Sequence, residues 1–340
     1  MQAGKRFTLW QTINWQKKYI FRFLIWSLLP VTLYYFFEWD ALSIPWQPIS
    51  LIGIAVAFYT GFKNNSSYER LWEGRKIWGG IVNTSRSFTV MIRDFVSNDE
   101  ALDPRSEEAL FEMRKAFVHR HVAWLYALTI QLRKQKAWEH DTKQDMHFRE
   151  LAGVKFHESQ FEQLKPYLDP EAYSYVMQKG NKASHLLSLQ SKHLMKLRRE
   201  GIIEHFRHLE LQNMITEMYT LQGKAERIKN FPFPRQYATV TFFFIVLFIL
   251  LLPFGMIDLF SSLGSKEWIW AAIPFSVVAS WVFWMMERIG DYSENPFEGL
   301  YNDVPITSMA RGIEIDIRQM LDETNLPEPL QPVGEMDIML

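Results

Sequence analysis

The stretch from Ala41 to Phe62, ALSIPWQPISLIGIAVAFYTGF, contains no charged residue. At about 1.5 Å rise per residue, roughly 20 residues cross a ~30 Å hydrocarbon core, so this run predicts a helix that spans a membrane. Working outward, Phe23–Phe37 precedes it and is likewise uncharged, and Gln236–Ile257 and Trp268–Met286 repeat the pattern far downstream. The first run is short, but Lys17, Lys18 and Arg22 before it can snorkel and extend the span. A second apolar run follows at once with no small-residue cleavage site between, so the first is not expected to be a cleaved signal peptide. Buried core helices of a soluble protein are the competing reading, and uncharged runs of this length are rare there.

Basic residues near the segment ends set the expected orientation. Lys5, Arg6, Lys17, Lys18 and Arg22 precede the first run, and Lys63, Arg70, Arg75 and Lys76 follow the second. The short links carry Glu38, Asp40 and a single base, Lys266. Both termini and the long middle region are therefore expected on the cytoplasmic side, and Trp39, Trp46, Trp268 and Trp270 fit an interfacial aromatic belt at the outer ends. Composition excludes other classes. Of 340 residues 48% are hydrophobic, with 26 Phe, 13 Trp and 13 Tyr, more apolar surface than a disordered chain can carry. A formal net charge of −1 supplies no global field for nucleic acid, and zero Cys removes disulfides, thiolate metal sites and Cys nucleophiles together.

Residues 63–235 read as helical almost throughout. Glu107–Lys136 and Glu204–Ile228 repeat apolar residues at three and four. Asp103-Pro104 and Asp169-Pro170-Glu171 each read as an N-cap followed by a first-turn proline. There is no strand alternation, phosphate-binding glycine loop or internal repeat. His119-x-His121 and His205-x-x-His208 could each hold one edge of a metal site, with Glu204 or Glu210 added, but no HExxH is present and solvated helix histidines are the expectation. Glu287, Asp291, Glu294, Glu298 and Asp303 cluster past the fourth run without an EF-hand pattern, and read as a solvated or salt-bridged face. Lys192–Arg199 reads as an ordinary amphipathic helix. Nothing points to catalysis. In the second run Ile54, Phe58 and Phe62 recur every four residues on one helical face, among the small or polar Ser50, Gly53, Ala55, Ala57, Thr60 and Gly61. By spacing alone this is a packing or lipid-facing stripe as readily as a functional one.

Residues 52–65 (IGIAVAFYTGFKNN), 73–79 (EGRKIWG), 226–230 (ERIKN), the bend Pro232-Phe233-Pro234, Asn295-Pro296-Phe297 and 302–306 (NDVPI) resemble the bestrophin family, specifically its bacterial members. The likeness covers roughly 20–325, with 135–200 similar in helical character only. It implies an all-α membrane protein, four transmembrane helices plus a large cytoplasmic helical region, packed as a homopentamer around a single central pore. It also implies that Ile54, Phe58 and Phe62 form the pore neck, three apolar rings that gate by dewetting. Phe206 falls on the cytoplasmic aperture position, with Ile202 and Ile203 as neighbouring alternatives. In animal members an acidic run after NPF forms a calcium clasp; Glu298-Gly299-Leu300-Tyr301 lacks consecutive acids, so no cofactor is expected, and Asn295, Asn302 and Asp303 remain as candidate cation-binding oxygen donors.

The expected organisation is 1–62 for the N-terminus and first helix pair, 63–235 for the cytoplasmic region, 236–286 for the second pair, and 287–340 for a cytoplasmic helix and extended tail. Pro327, Pro329 and Pro332 end helix formation, and Met336, Ile338, Met339 and Leu340 offer apolar anchors for docking the tail, with disorder as the alternative. The expected function is a channel, not an enzyme, that passes small monovalent ions across the bacterial inner membrane. Its partners are the bilayer, further copies of itself and the permeant ions, with no nucleic acid. With no charge in the neck, ring geometry matters, five edge-on phenylalanines favouring an anion and five exposed faces a cation. With Phe at both 58 and 62 the neck resembles the animal chloride-conducting members, which implies anions, chiefly chloride. A sodium channel of the same fold and a membrane-anchored helical scaffold or enzyme are the alternatives.

Overall fold

A computed structural model describes residues 1–4, 8–101, 103–334 and 337–340. Lys5, Arg6 and Met336, used above, lie outside the described residues. Ten α-helices run in chain order among those described: α1 Leu9–Phe37, α2 Trp46–Phe95, α3 Glu107–Arg133, α4 Lys143–Leu151, α5 Pro170–Met177, α6 Lys182–Arg199, α7 His205–Asn230, α8 Arg235–Ser261, α9 Ala272–Asp291 and α10 Ile306–Gln319. Short 3-10 turns occupy Asp40–Leu42, Glu158–Tyr167 and Lys266–Ala271. The chain divides into two compact units, one of residues 4–70 and 232–294, the other of 1–3, 71–231 and 295–340, and α2 contributes to both.

The first unit holds α1, the first half of α2, α8 and α9, each long and apolar enough to cross a membrane. Its interior is built from Phe23, Val31, Ile49, Val56, Ile245, Phe248, Leu252 and Ile257. Its outside is equally apolar: Phe21, Leu24, Ile25 and Leu28 on α1, Phe243, Leu247 and Leu250 on α8, and Phe275, Val278 and Val282 on α9 are exposed. A soluble protein does not leave so much contiguous apolar surface to water; hydrocarbon is the solvent that suits it. The first apolar run is the end of a longer helix, because Thr8 and Gln11 form a reciprocal capping box that starts α1 at Leu9. Glu38, at φ 54, closes α1 in the left-handed region and donates its N–H to Tyr34.

The second unit is organised on α3, whose residues Val122–Leu128 are buried all round. α6, α10, α7 and the turn Glu158–Tyr167 pack on it. The predicted start at Asp103-Pro104 is corrected: Ser106 is the N-cap, its hydroxyl accepting from Ala109 N at 3.2 Å, while Asp103 pairs with Arg105. Asp169 does cap α5, accepting from Ala172 N at 2.8 Å with Pro170 behind it. The expectation of solvated histidines holds for His205, which is exposed, and is corrected for the other three. His121 is fully buried against Ser85 (2.8 Å), His208 is buried, and His119 bonds Glu323 at 2.8 Å. Past α10 the chain runs extended and docks on its own unit. Val333 and Ile338 form an antiparallel bridge, and Ile338 and Leu340 are buried with Val154.

Candidate pore-lining helix and the loop after α9

Why α2 holds one face outward follows from what packs its other face. Gly53, Val56, Thr60, Lys63 and Ser67 are buried at intervals of three and four. Gly53 lies so close to Phe248 of α8 that a Cβ would meet the ring at 2.7 Å, and Gly255 of α8 is pressed in the same way against Ile49 and Trp46. Thr60 satisfies its hydroxyl on Val56 O at 2.8 Å. Lys63 makes a buried ion pair with Glu287 of α9, and the Asn64 amide donates to Met286 O at 3.0 Å. Gly290 leaves the room that Asn64 needs. At the other end Asp258 of α8 accepts from Trp46 N at 3.0 Å and from Ser43, which caps the first turn of α2. Two glycine contacts, a buried charge pair and a capping carboxylate thus fix the rotation of this helix.

With that face taken, the predicted neck residues are left uncovered. Ile54 is 68%, Phe58 65% and Phe62 49% exposed, with Leu51 continuing the row. At 100° per residue, Ile54 and Phe58 fall far round the helix from Lys63. Phe58 and Phe62 meet edge to face, ring centroids 4.5 Å apart and planes 85° from parallel. The small residues anticipated around the stripe divide: Gly53 and Thr60 serve the packed face, while Ala55 and Gly61 share the open one. The pattern of Asp258, Glu287 and Asn64 was not anticipated as positioning machinery; the signal available was a polar residue inside each apolar helix end.

In the second unit Phe206 lies in the first turn of α7 and is 73% exposed. Glu204 orients this end by accepting from Phe206 N (2.8 Å) and Arg207 N (3.0 Å). Ile202 and Ile203, the neighbouring alternatives, are in the core.

The acids after α9 are paired and buried, not solvated. Glu298 accepts from Arg149 Nη2 at 3.2 Å and lies 3.0 Å from His140 Nδ1. Asp303 accepts from Gly299 N at 2.6 Å and faces Arg133 Nη1 at 3.6 Å. Burial, and then the Glu298 charge, push the Asp303 carboxyl up to about 6, against the pull of Arg133. Asn295 and Phe297 are buried, Asn302 is half-buried, and Gly74 of α2 receives Pro296 and Phe297 with a Cβ clearance of only 3.2–3.3 Å. Asp303, of the three candidate cation donors, therefore already has a guanidinium as its counter-charge. Among the described residues no group of three or more His, Asp or Glu gathers as a metal site.

The profile of the Bacterial/Fungal Bestrophin protein family matches residues 11–319. The chain is 28% identical over 282 residues to the voltage-dependent anion channel-forming protein YneE of Salmonella typhi, covering 82% of this chain and 78% of that one. It is 28% identical to the voltage-dependent anion channel-forming protein RSc3414 of Ralstonia nicotianae, covering 89% and 87%. The fold is that of a bacterial bestrophin homolog from Klebsiella pneumoniae, with TM-score 0.73 at 22% identity over 90% of this chain and 98% of that one.

Proposed function

This chain belongs to the bacterial and fungal bestrophin family, and we propose that it is an anion channel of the inner membrane, a homopentamer whose α2 helices surround one central pore. The observation that carries the reading is the two-sided character of α2: one face is locked by Gly53, Lys63 and Asn64, while Ile54, Phe58 and Phe62 are held outward as a continuous apolar row. Five copies facing an axis make three hydrophobic rings that an ion crosses only by shedding water. Phe206 forms the cytoplasmic aperture. Residues 63–235 and 287–340, with both termini, lie on the cytoplasmic side, in keeping with the basic residues at the ends of the apolar segments.

Selectivity for anions, chiefly chloride, has two supports. The relatives above are named as anion channel-forming proteins. The perpendicular arrangement of Phe58 and Phe62 means that at most one of the two rings can turn its negative face in any given direction, while the other shows its positive edge. Calcium has no role in this reading, because Arg133 and Arg149 already neutralise Asp303 and Glu298. The test is ion flux from liposomes carrying the purified protein. Phe58→Ala should raise chloride flux by on the order of tenfold, equivalent to about 1.4 kcal/mol off the barrier. An unaltered flux in this variant would remove Phe58 from the pore.

A further inference from the structure

A cavity of about 400 Å³ opens in the second unit, lined by α3, α10, the segment Gly153–Gln163 and Leu330 of the tail. Its size is that of a small-molecule site, and its wall is unusual in charge. Two arginines, Arg133 and Arg311, line it, and no carboxylate does. Hydroxyls and amides of Thr307, Ser159, Gln160 and Gln163 complete the polar wall, with Ile130, Val154 and Leu330 as the apolar part.

Arg133 is the telling residue. It is 5% exposed, yet its Nε and Nη1 are buried without a hydrogen-bond partner. Asp303 stands 3.6 Å from Nη1, outside hydrogen-bond reach, and the contact of Nη2 with Thr307 is long at 3.5 Å. Asp303 supplies the counter-charge on the Nη1 side, while Nη2, held only by the long contact to Thr307 on the cavity wall, keeps an N–H for an acceptor in the cavity. Planar guanidinium pairs best with a planar carboxylate, in a two-pronged contact. Arg311 is held across the cavity wall by donating Nε to Tyr126 OH at 2.8 Å and Nη1 to Glu328 O at 3.2 Å. Both of these bonds fix the side chain, and the buried Glu314, shared with Arg318, is its counter-charge at 3.3 Å.

We propose that this cavity binds a small organic dicarboxylate, one carboxylate on Arg133, the other on Arg311, its carbon chain against Val154 and Leu330. Because Leu330 and Glu328 belong to the tail, occupancy also holds the tail in its docked position.

Glutarate and succinate are the probes, titrated calorimetrically into the full-length protein in detergent at constant ionic strength, with butyrate, inorganic phosphate and chloride as competitors. Saturable binding of a dicarboxylate with Kd on the order of 1 mM or tighter is expected. It should weaken at least tenfold in Arg311→Met and vanish in Leu330→Trp, which fills the cavity without touching a charge. Leu330→Trp should keep the wild-type oligomer mass and unfolding temperature, so loss of binding there reports the site and not the fold. No saturable binding of either dicarboxylate at 10-fold above that concentration, or binding that survives both variants, overturns the proposal. Equal binding of phosphate overturns the organic-acid assignment.

Discussion

His121 is enclosed in α3 with its ring near Phe88 and Trp124 and its Nε2 2.8 Å from Ser85 Oγ. Burial holds the imidazole down to about 3, and His193, half-buried and facing Arg120, is held down to about 4 by desolvation and then by the Arg120 charge. Both are neutral in the folded state where an unfolded histidine has begun to take up a proton. Their contribution to stability is therefore complete above pH 6.5 and is lost as pH falls towards 3–4. Asp303 acts with the opposite sign: its raised carboxyl favours the folded state below about pH 4 and loses that advantage as pH rises to about 6. In His121→Phe, which leaves Ser85 satisfied on Ile81 O, the loss of unfolding temperature between pH 7 and pH 5 should be smaller than in the wild type. Equal losses in the two proteins would contradict the assignment. None of this burial was legible locally. His119-Arg120-His121 reads as a polar surface triplet, and its partners Ser85, Gln190, His193 and Glu323 come from distant segments. The Ile54, Phe58, Phe62 row was legible as a stripe from its spacing, while its reading as a pore neck came only from likeness to the family.

At the scale of the element, α2 shows what an uncharged run does and does not report. Its apolar part was readable, but the helix continues without a break to Phe95. The appearance of Lys63 marks a change of surroundings, not of backbone: buried positions keep their spacing through Ser67, Gly74, Ile77, Ile81, Ser85 and Phe88. The segment ends of α8 and α9 were close to the apolar runs for the opposite reason, since turns and 3-10 segments bound them. The Lys63–Glu287 pair sets the rotation of α2 one residue beyond Phe62. Removing one partner of such a buried pair costs about 3–5 kcal/mol, whereas reversing both charges keeps the attraction. Lys63→Met and Glu287→Gln should each lower the unfolding temperature in detergent and alter chloride flux, and Lys63→Glu with Glu287→Lys should recover most of both. Single variants indistinguishable from the wild type would show that the glycine contacts alone orient the helix.

In the proposed reading the whole molecule is unfinished as one chain. Exposed Phe and Leu around α1, α8 and α9 suit lipid, while the opposite face of α2 is locked by a buried ion pair, and the proposed pore of several copies gives the outward row a purpose. The detergent-solubilised protein should therefore have a mass near five times 40.3 kDa after subtraction of bound detergent. A stable monomer or dimer would contradict the assembly. Sequence pattern alone gave the number of apolar helices; the oligomer rested on likeness to a family, because surfaces that meet only in symmetric copies leave no signal in the period of one chain. Selectivity is the property that tests the account most directly, and it is measured as the reversal potential of the purified protein in a planar bilayer under a potassium chloride gradient. The account predicts a value close to the chloride equilibrium potential, shifting with chloride and not with the cation supplied. A value close to the potassium potential would contradict it.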